Sequence, residues 1–331
     1  MVSIKLEISP TFLLHHKEDI VIRIGKECLL SSPQVSESET TWFQFMESLI
    51  NQFKQNRQIR TSETYTSALR SFKSFKCDSD LYIEDVTPNV IEAYECWLKL
   101  NGVALNTVSF YMRILRATYN RAVTLGLTVD KKPFAKVYTG NPKTIKRAIS
   151  IADLKTIKNS IITNPDKRFA RDMFLFSFYT RGMSFIDMAN LKKSDLHDGT
   201  LRYQRSKTRQ RICLKWQPYL QDIIDKYPKT DRTHLLPIIT ERGDERKQYL
   251  RIQHQINENL SRLTKELGVS RKLTMYVARH TWATIAKSQN IPTAIISDCM
   301  GHNSEKTTQI YLNTISAQMM DDADERVATT I

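Results

Sequence analysis

From about residue 40 to about residue 127, apolar side chains recur every three or four positions in four successive runs. That period constrains the chain more than any other feature in it. Phe43, Phe45, Met46 and Ile50 make the first run, and Tyr65, Leu69, Phe72 and Phe75 the second. In "TPNVIEAYECWLKLNG", Pro88 stands near a helix start and Gly102 just past its end, the usual asymmetry. The fourth run puts Val108, Met112, Leu115, Tyr119 and Ala122 on one face, with Arg113, Arg116 and Asn120 on another. The spacing predicts a helical unit over 37–130. "VDKKPFAKVYTGNPKTIKRAIS" then breaks the period with Pro133, Gly140 and Pro142 among lysines, and reads as a linker over 131–146.

A second unit starts near Arg147. "RAISIADLKTIKNSI" is amphipathic, and "ARDMFLFSFYTRGMSFIDMANL" is a long apolar helical stretch interrupted at Arg181-Gly182. Asp198-Gly199 between short alternating runs is a two-residue hairpin signal, so a small antiparallel sheet of two or three strands follows, with Lys207 at a turn. Ile252, Ile256, Leu260, Leu263 and Leu267 mark a further helix capped by Gly268, and "MYVARHTWATIAKSQNIP" and "TAIISDCMGH" add two shorter ones. The fold class is mainly α, with one small antiparallel sheet in the second unit. The length of 331 residues agrees with two domains at about 150 residues each. Before Thr40 the weak alternation in "DIVIRIGKECLL" suggests a short N-terminal arm, 1–36, strand-like or mobile.

A net charge of +14 points to a polyanionic partner, most often nucleic acid. Arg113, Arg116 and Asn120 are candidates for phosphate contacts, which position a protein on DNA without reading its sequence. The five cysteines, Cys28, Cys77, Cys96, Cys213 and Cys299, are scattered. They argue against a disulfide framework or a zinc site and fit a reducing cytosol. No signal-peptide core stands at the N-terminus, and no run approaches the roughly 20 apolar residues of a membrane span.

Four candidates for chemistry lie in the second unit: Lys207, Arg279 in "YVARHTWAT", His302 in "MGH", and Tyr311 in "GHNSEKTTQIYLNT". Singly, each has a bland explanation. A tyrosine at helix spacing is usually core, a hairpin lysine is usually solvated, and a histidine after glycine is usually a cap. An arginine in an apolar helix needs something to compensate its charge. Together they supply what metal-free attack on a phosphodiester requires. A phenol can act as covalent nucleophile, an arginine can hold the non-bridging oxygens, and a lysine or histidine can move protons. No carboxylate cluster or Cys/His set has metal spacing, which disfavours two-metal chemistry, and no cofactor is expected.

"YVARHTWATIA" and "DCMGHNSEKTTQIYLNT" resemble the two C-terminal boxes of the tyrosine recombinase, or phage integrase, family. "LRYQRSKTRQRICL" resembles that family's lysine-bearing hairpin, and "KRAISIADL" the entry to its catalytic domain. The helical unit resembles its SAM-like core-binding domain. The likeness covers nearly all of the chain after about residue 36 and is closest to the recombinases of the Bacteroides group. It implies a catalytic domain over 147–314 of mixed but mostly helical structure, and a tail over 315–331. By position, Tyr311 would be the nucleophile, Arg279 a phosphate clamp, His302 the histidine of the last box, Lys207 the general acid, and His280 a structural residue.

Two departures stand out. Where the family usually has His or Lys three residues before the second arginine, this chain has Tyr276, a poor proton donor near neutral pH that could still bond a phosphate oxygen. The first arginine box corresponds to "TRGMSFIDMANL", which puts Ser184 where an arginine belongs. If the stretch is helical, Arg181 shares a face with that position and takes the role. Otherwise Arg181 supports the fold, or another arginine such as Arg205 substitutes.

The resemblance implies site-specific DNA recombination through a 3′-phosphotyrosyl intermediate, without metal or ATP. The two units would grip opposite sides of a double-stranded recombination site. The assembly would be a homotetramer on two such sites in the cytoplasm, at the nucleoid, and accessory DNA-bending proteins are admitted as partners. The tail, with Ile315, Met319, Met320 and Val327, would pack on its own protomer or on a neighbour. Three rivals remain: a catalytically impaired DNA-binding regulator of the same fold, which the Ser184 departure favours; a type IB topoisomerase using similar residues; and a structural or protein-binding module, which absence of salt-sensitive DNA binding would be needed to revive.

Overall fold

The computed structural model describes residues 40–140, 147–227, 233–241, 243–312 and 328–329. The arm read over 1–36, and all of the tail but residues 328–329, lie outside them. The chain divides into two compact units, Met1–Lys143 and Thr144–Ile331.

Among its described residues the first unit has four α-helices: α1 (Trp42–Gln55), α2 (Ile59–Phe75), α3 (Pro88–Leu100) and α4 (Leu105–Thr124). The apolar period places Trp42, Met46, Phe72, Ile91, Tyr94, Met112, Leu115 and Tyr119 in one core. Tyr94 meets Phe72 edge-on at 4.9 Å between ring centroids, and its hydroxyl donates to Ser71 Oγ at 2.8 Å. Pro88 is the first residue of α3, where a missing N–H costs nothing, and Gly102 follows its end at φ +67°.

The linker expectation needs a correction in its first half. Phe134 and Val137 are buried in the same core, and the Tyr119 hydroxyl donates to the Val129 carbonyl and accepts from Lys131 N. Apolar residues at 134 and 137 were hidden among lysines, and burying them ties residues 131–140 to the first unit.

The second unit holds α5 (Ile151–Asn159), α6 (Pro165–Tyr179), α7 (Phe185–Asn190), β1 (Leu196–His197), β2 (Thr200–Gln204), β3 (Arg211–Lys215), α8 (Pro218–Asp225), α9 (Glu245–Glu266), α10 (Met275–Ser288), α11 (Thr293–Met300) and α12 (Glu305–Leu312). Helix α6 is central: every residue from Ala170 to Ser177 is buried, including Arg171 and Asp172, which pair with each other. It packs against α9 and α10, and Met173, Phe174 and Phe176 are fully buried. The strands form one antiparallel sheet in the order β1-β2-β3. Asp198 and Gly199, at φ +49° and +65°, make the tight turn between β1 and β2, with His197 opposite Thr200. In β3, Ile212 and Leu214 point inward while their neighbours face solvent.

One premise fails here. Helix α6 ends at Tyr179, and Arg181 and Gly182 both adopt left-handed backbone, at φ +62° and +72°. Arg181 and Ser184 therefore do not share a helix face. Ser184 is instead the N-cap of α7.

Candidate active site

Helix α10 carries Arg279 inward, leaving it 4% exposed. Its charge is met by oxygen dipoles and an imidazole: Nη1 donates to the Gly182 carbonyl at 2.8 Å, and Nη2 to the Met300 carbonyl at 2.6 Å. Nη2 also lies 2.9 Å from His302 Nε2. The chain after α6 approaches this arginine so closely that a Cβ at residue 182 would sit 2.6 Å from Arg279 Cα. Glycine is required there on both steric and conformational grounds.

His302 follows Gly301, which ends α11 in the left-handed conformation at φ +63°. Arginine can only donate, so Nε2 of His302 accepts and Nδ1 carries the proton. That proton goes to Thr308 Oγ1 at 2.8 Å. Burial, followed by the cations Arg279, Arg205 and Lys207, pushes the imidazole down to about 3, so it is neutral at physiological pH. Thr308 is fully buried in α12, three residues before Tyr311 in the same helix. Buried Arg279, His302 and Thr308 thus form a continuous chain from α10 to the helix that bears the tyrosine.

The β2–β3 turn closes over this chain. The Arg205 guanidinium, 6% exposed, donates through Nη1 to the Gly301 carbonyl, which also accepts from Thr208 Oγ1 at 3.1 Å. Gln210 Nε2 donates to the His302 carbonyl at 3.2 Å. Lys207, between them, is exposed. Asp187 anchors the turn from below: its buried carboxylate accepts from Ser206 N at 2.8 Å and from Ser184 Oγ at 2.6 Å. Arg181 is partly exposed and reaches the Cys213 carbonyl at 3.3 Å. Tyr203 senses Arg279, Arg205 and Arg181 together, yet burial and the nearby Asp187 push its phenol up.

Tyr276 lies one turn before Arg279 in the α10 sequence and is 45% exposed. Its ring meets His280 edge-on at 4.7 Å, and the Arg147 guanidinium lies 5.9 Å from the ring centroid. Burial, then Arg147 and Arg279, lower the His280 pKa to about 4.

The second unit therefore gathers Arg279 and His302, with Lys207 on the turn beside them and Arg181 and Ser184 near the same strands. Arg113, Arg116 and Asn120 belong to the first unit, where all three are exposed on α4. Arg116 Nη1 donates to Thr139 Oγ1 at 3.2 Å. The sequence reading gave no role to Thr308, Gln210 or Asp187. A threonine pair before "QIY" was the one available hint of Thr308. Among the described residues, no group of three or more His, Cys, Asp or Glu side chains is placed to hold a metal ion. No described helix is long and apolar enough to cross a membrane.

Comparison with known proteins gives the same two-part division. A model of the phage integrase SAM-like domain matches residues 41–139, and a model of the phage integrase family matches residues 149–317. The tyrosine recombinase XerA of Thermococcus kodakarensis is 24% identical over 216 residues, 65% of this chain and 73% of that protein. XerD of Listeria monocytogenes is 21% identical over 280 residues, 79% of this chain and 90% of its own. Among solved structures, a lambda integrase dimer bound to a COC′ core site aligns with a TM-score of 0.62 at 18% identity, covering 83% of this chain and 77% of that one. A lambda integrase tetramer bound to a Holliday junction aligns at 0.63 and 16% identity, covering 82% and 77%. At such identities the structural likeness speaks for the fold.

Proposed function

This chain belongs to the phage integrase family, the tyrosine recombinases, and from that premise we propose how its own residues divide the work of site-specific DNA strand transfer. Tyr311 is the nucleophile. Its phenolic oxygen attacks the scissile phosphorus, the bond from phosphorus to the 5′ oxygen breaks, and a 3′-phosphotyrosyl ester forms. The phosphoester energy is conserved, so a 5′-hydroxyl from a partner strand can reverse the step. Arg279 holds a non-bridging oxygen and offsets charge in the transition state. Lys207 gives a proton to the departing 5′ oxygen, and His302 takes the phenolic proton. An arriving phosphodiester places negative charge beside the cations that depress the His302 pKa, which raises the imidazole's proton affinity when it is needed. Tyr276, exposed on the same helix as Arg279, offers a hydroxyl to a phosphate oxygen. Arg181 adds charge at the edge of the site.

The observation that carries this reading is the buried chain from Arg279 through His302 to Thr308, which ties the phosphate-clamp candidate to the helix bearing Tyr311. A double-stranded recombination site is the partner, as the complexes of lambda integrase suggest by analogy. A tetramer on two sites, at work in the nucleoid, and kinship with the Bacteroides group belong to the same proposal. So do an arm over 1–36, a catalytic domain over 147–314 and a tail over 315–331.

The test is covalent trapping. Duplexes from repeats flanking the gene are screened for binding, and a bound duplex nicked near the cleavage point is incubated with the protein. An adduct that survives denaturation and disappears in Tyr311→Phe supports the reading. Salt-sensitive binding with no adduct would instead identify a regulator that keeps the fold without the chemistry, the reading that Ser184 in the first box favours.

A further inference from the structure

The first-box position is held by Ser184, which has no charge and whose hydroxyl is engaged by Asp187 at 2.6 Å. We propose that Arg205, from the end of β2, is the second guanidinium of the phosphate site and does the work that Ser184 cannot. The inference rests on reading this site as a strand-transferase.

The first ground is charge. Arg205 is 6% exposed, and among the described residues no carboxylate lies within salt-bridge distance of it. The only hydrogen bond of its guanidinium among those residues runs from Nη1 to the Gly301 carbonyl, and its Nε is buried without a partner. A buried, uncompensated cation is costly to the fold. Binding an anion removes that cost, and a phosphodiester is the anion this fold is read to take.

The second ground is position. Arg279 donates to the Met300 carbonyl, and Arg205 to the Gly301 carbonyl one residue along. Both cations act on His302. A phosphodiester has two non-bridging oxygens, and two guanidinium groups flanking one turn can take one each. Lys207 lies two residues beyond Arg205 in the same turn, so clamp and proton donor arrive on one element.

The third ground is the room made for the side chain. A Cβ at Gly301 would lie 3.0 Å from Arg205 Cδ and 2.9 Å from Ile212 Cδ1. Gly301 stands to Arg205 as Gly182 stands to Arg279: a left-handed glycine pressed against an arginine that takes its carbonyl. Arg181 has no such seat; it is partly exposed and bonded to Cys213 on β3.

The test uses the full chain and single-turnover adduct formation on the trapped duplex. Wild type, Arg205→Ala, Arg205→Lys and Arg181→Ala are compared on the ordinary phosphodiester and on a methylphosphonate at the scissile position, which carries no charge to offset. Arg205→Ala should lose about 10²–10³-fold in rate on the phosphodiester, as for removal of one transition-state donor. It should recover to within about tenfold of wild type on the methylphosphonate, because the missing charge is no longer required. Arg205→Lys should fall between, and Arg181→Ala should lose less than Arg205→Ala. A rate for Arg205→Ala within about threefold of wild type would overturn the assignment. So would a loss that the uncharged substrate does not restore, the behaviour of a residue that only supports the fold. If wild type forms no Tyr311-dependent adduct on either substrate, the strand-transferase reading fails and Arg205 falls with it.

Discussion

Gly182 and Gly301 show how single residues set the site. Each is left-handed and each lies against the stem of an arginine. Gly199 has the same sense of φ but nothing within 4 Å of a hypothetical Cβ. Gly199→Ala should therefore cost only the left-handed penalty, about 1–2 kcal/mol. Gly182→Ala adds overpacking against Arg279, for a total of about 2–5 kcal/mol. Urea unfolding of the two variants measures the difference, and equal losses would mean that the approach of Arg279 carries no energetic weight. His302 gives a second expectation. Its folded pKa is depressed from 6.5 to about 3, so between those values the unfolded chain binds a proton that the folded one refuses. Stability from this group is complete above about pH 6.5 and declines as pH falls toward 3. His302→Gln should flatten the fall in unfolding midpoint between about pH 7 and pH 5. An unchanged slope would show that the imidazole is not held neutral in the fold.

Among the elements, the β2–β3 hairpin decides most, because it carries Arg205 and Lys207 and is held from beneath by Asp187. Removing that carboxylate in Asp187→Ala leaves the Ser206 amide and the Ser184 hydroxyl without their acceptor. Two charge-assisted bonds of this kind put the cost at about 3–6 kcal/mol. Faster hydrogen exchange at the Ser206 amide would report the loosened turn, and unaltered exchange would remove Asp187 from the account. The helices were legible because their apolar faces repeat at 3.6 residues, and the β1–β2 turn because Asp198-Gly199 has few other uses. Arg205 could be offered from the sequence only as one substitute for Arg181, and its burial was not legible. Arg202, Arg205, Arg209 and Arg211 crowd one polar stretch, and no period says which turns inward. What selects Arg205 is a carbonyl at Gly301, 96 residues away, and only the fold brings it there. The helical premise for Arg181 failed at a break that was itself legible: Gly182, two positions before Ser184, marks it, and it begins one residue earlier, in a left-handed arginine.

At the scale of the whole molecule, the excess charge of +14 bears on binding rather than on fold. In the proposed complex it acts through the phosphates, each neutralisation releasing condensed counterion, so log affinity should fall linearly with log salt. Contacts to about 6–10 phosphates would weaken binding about 10³–10⁵-fold between 50 and 200 mM salt. Arg113 and Arg116 lie exposed on α4 of the first unit and are assigned to phosphates alone. The double variant Arg113→Ala/Arg116→Ala should therefore reduce the magnitude of the salt slope by about 2 and weaken cognate and unrelated duplexes alike. Titrating both duplexes over a range of salt measures slope and specificity in one experiment. A slope equal to wild type would remove the α4 arginines from the interface, and a loss confined to the cognate duplex would mean that they read bases. The first outcome would leave the affinity to the second unit and residues beyond α4. The second would move sequence recognition into the helical unit, where the phosphate assignment puts none of it.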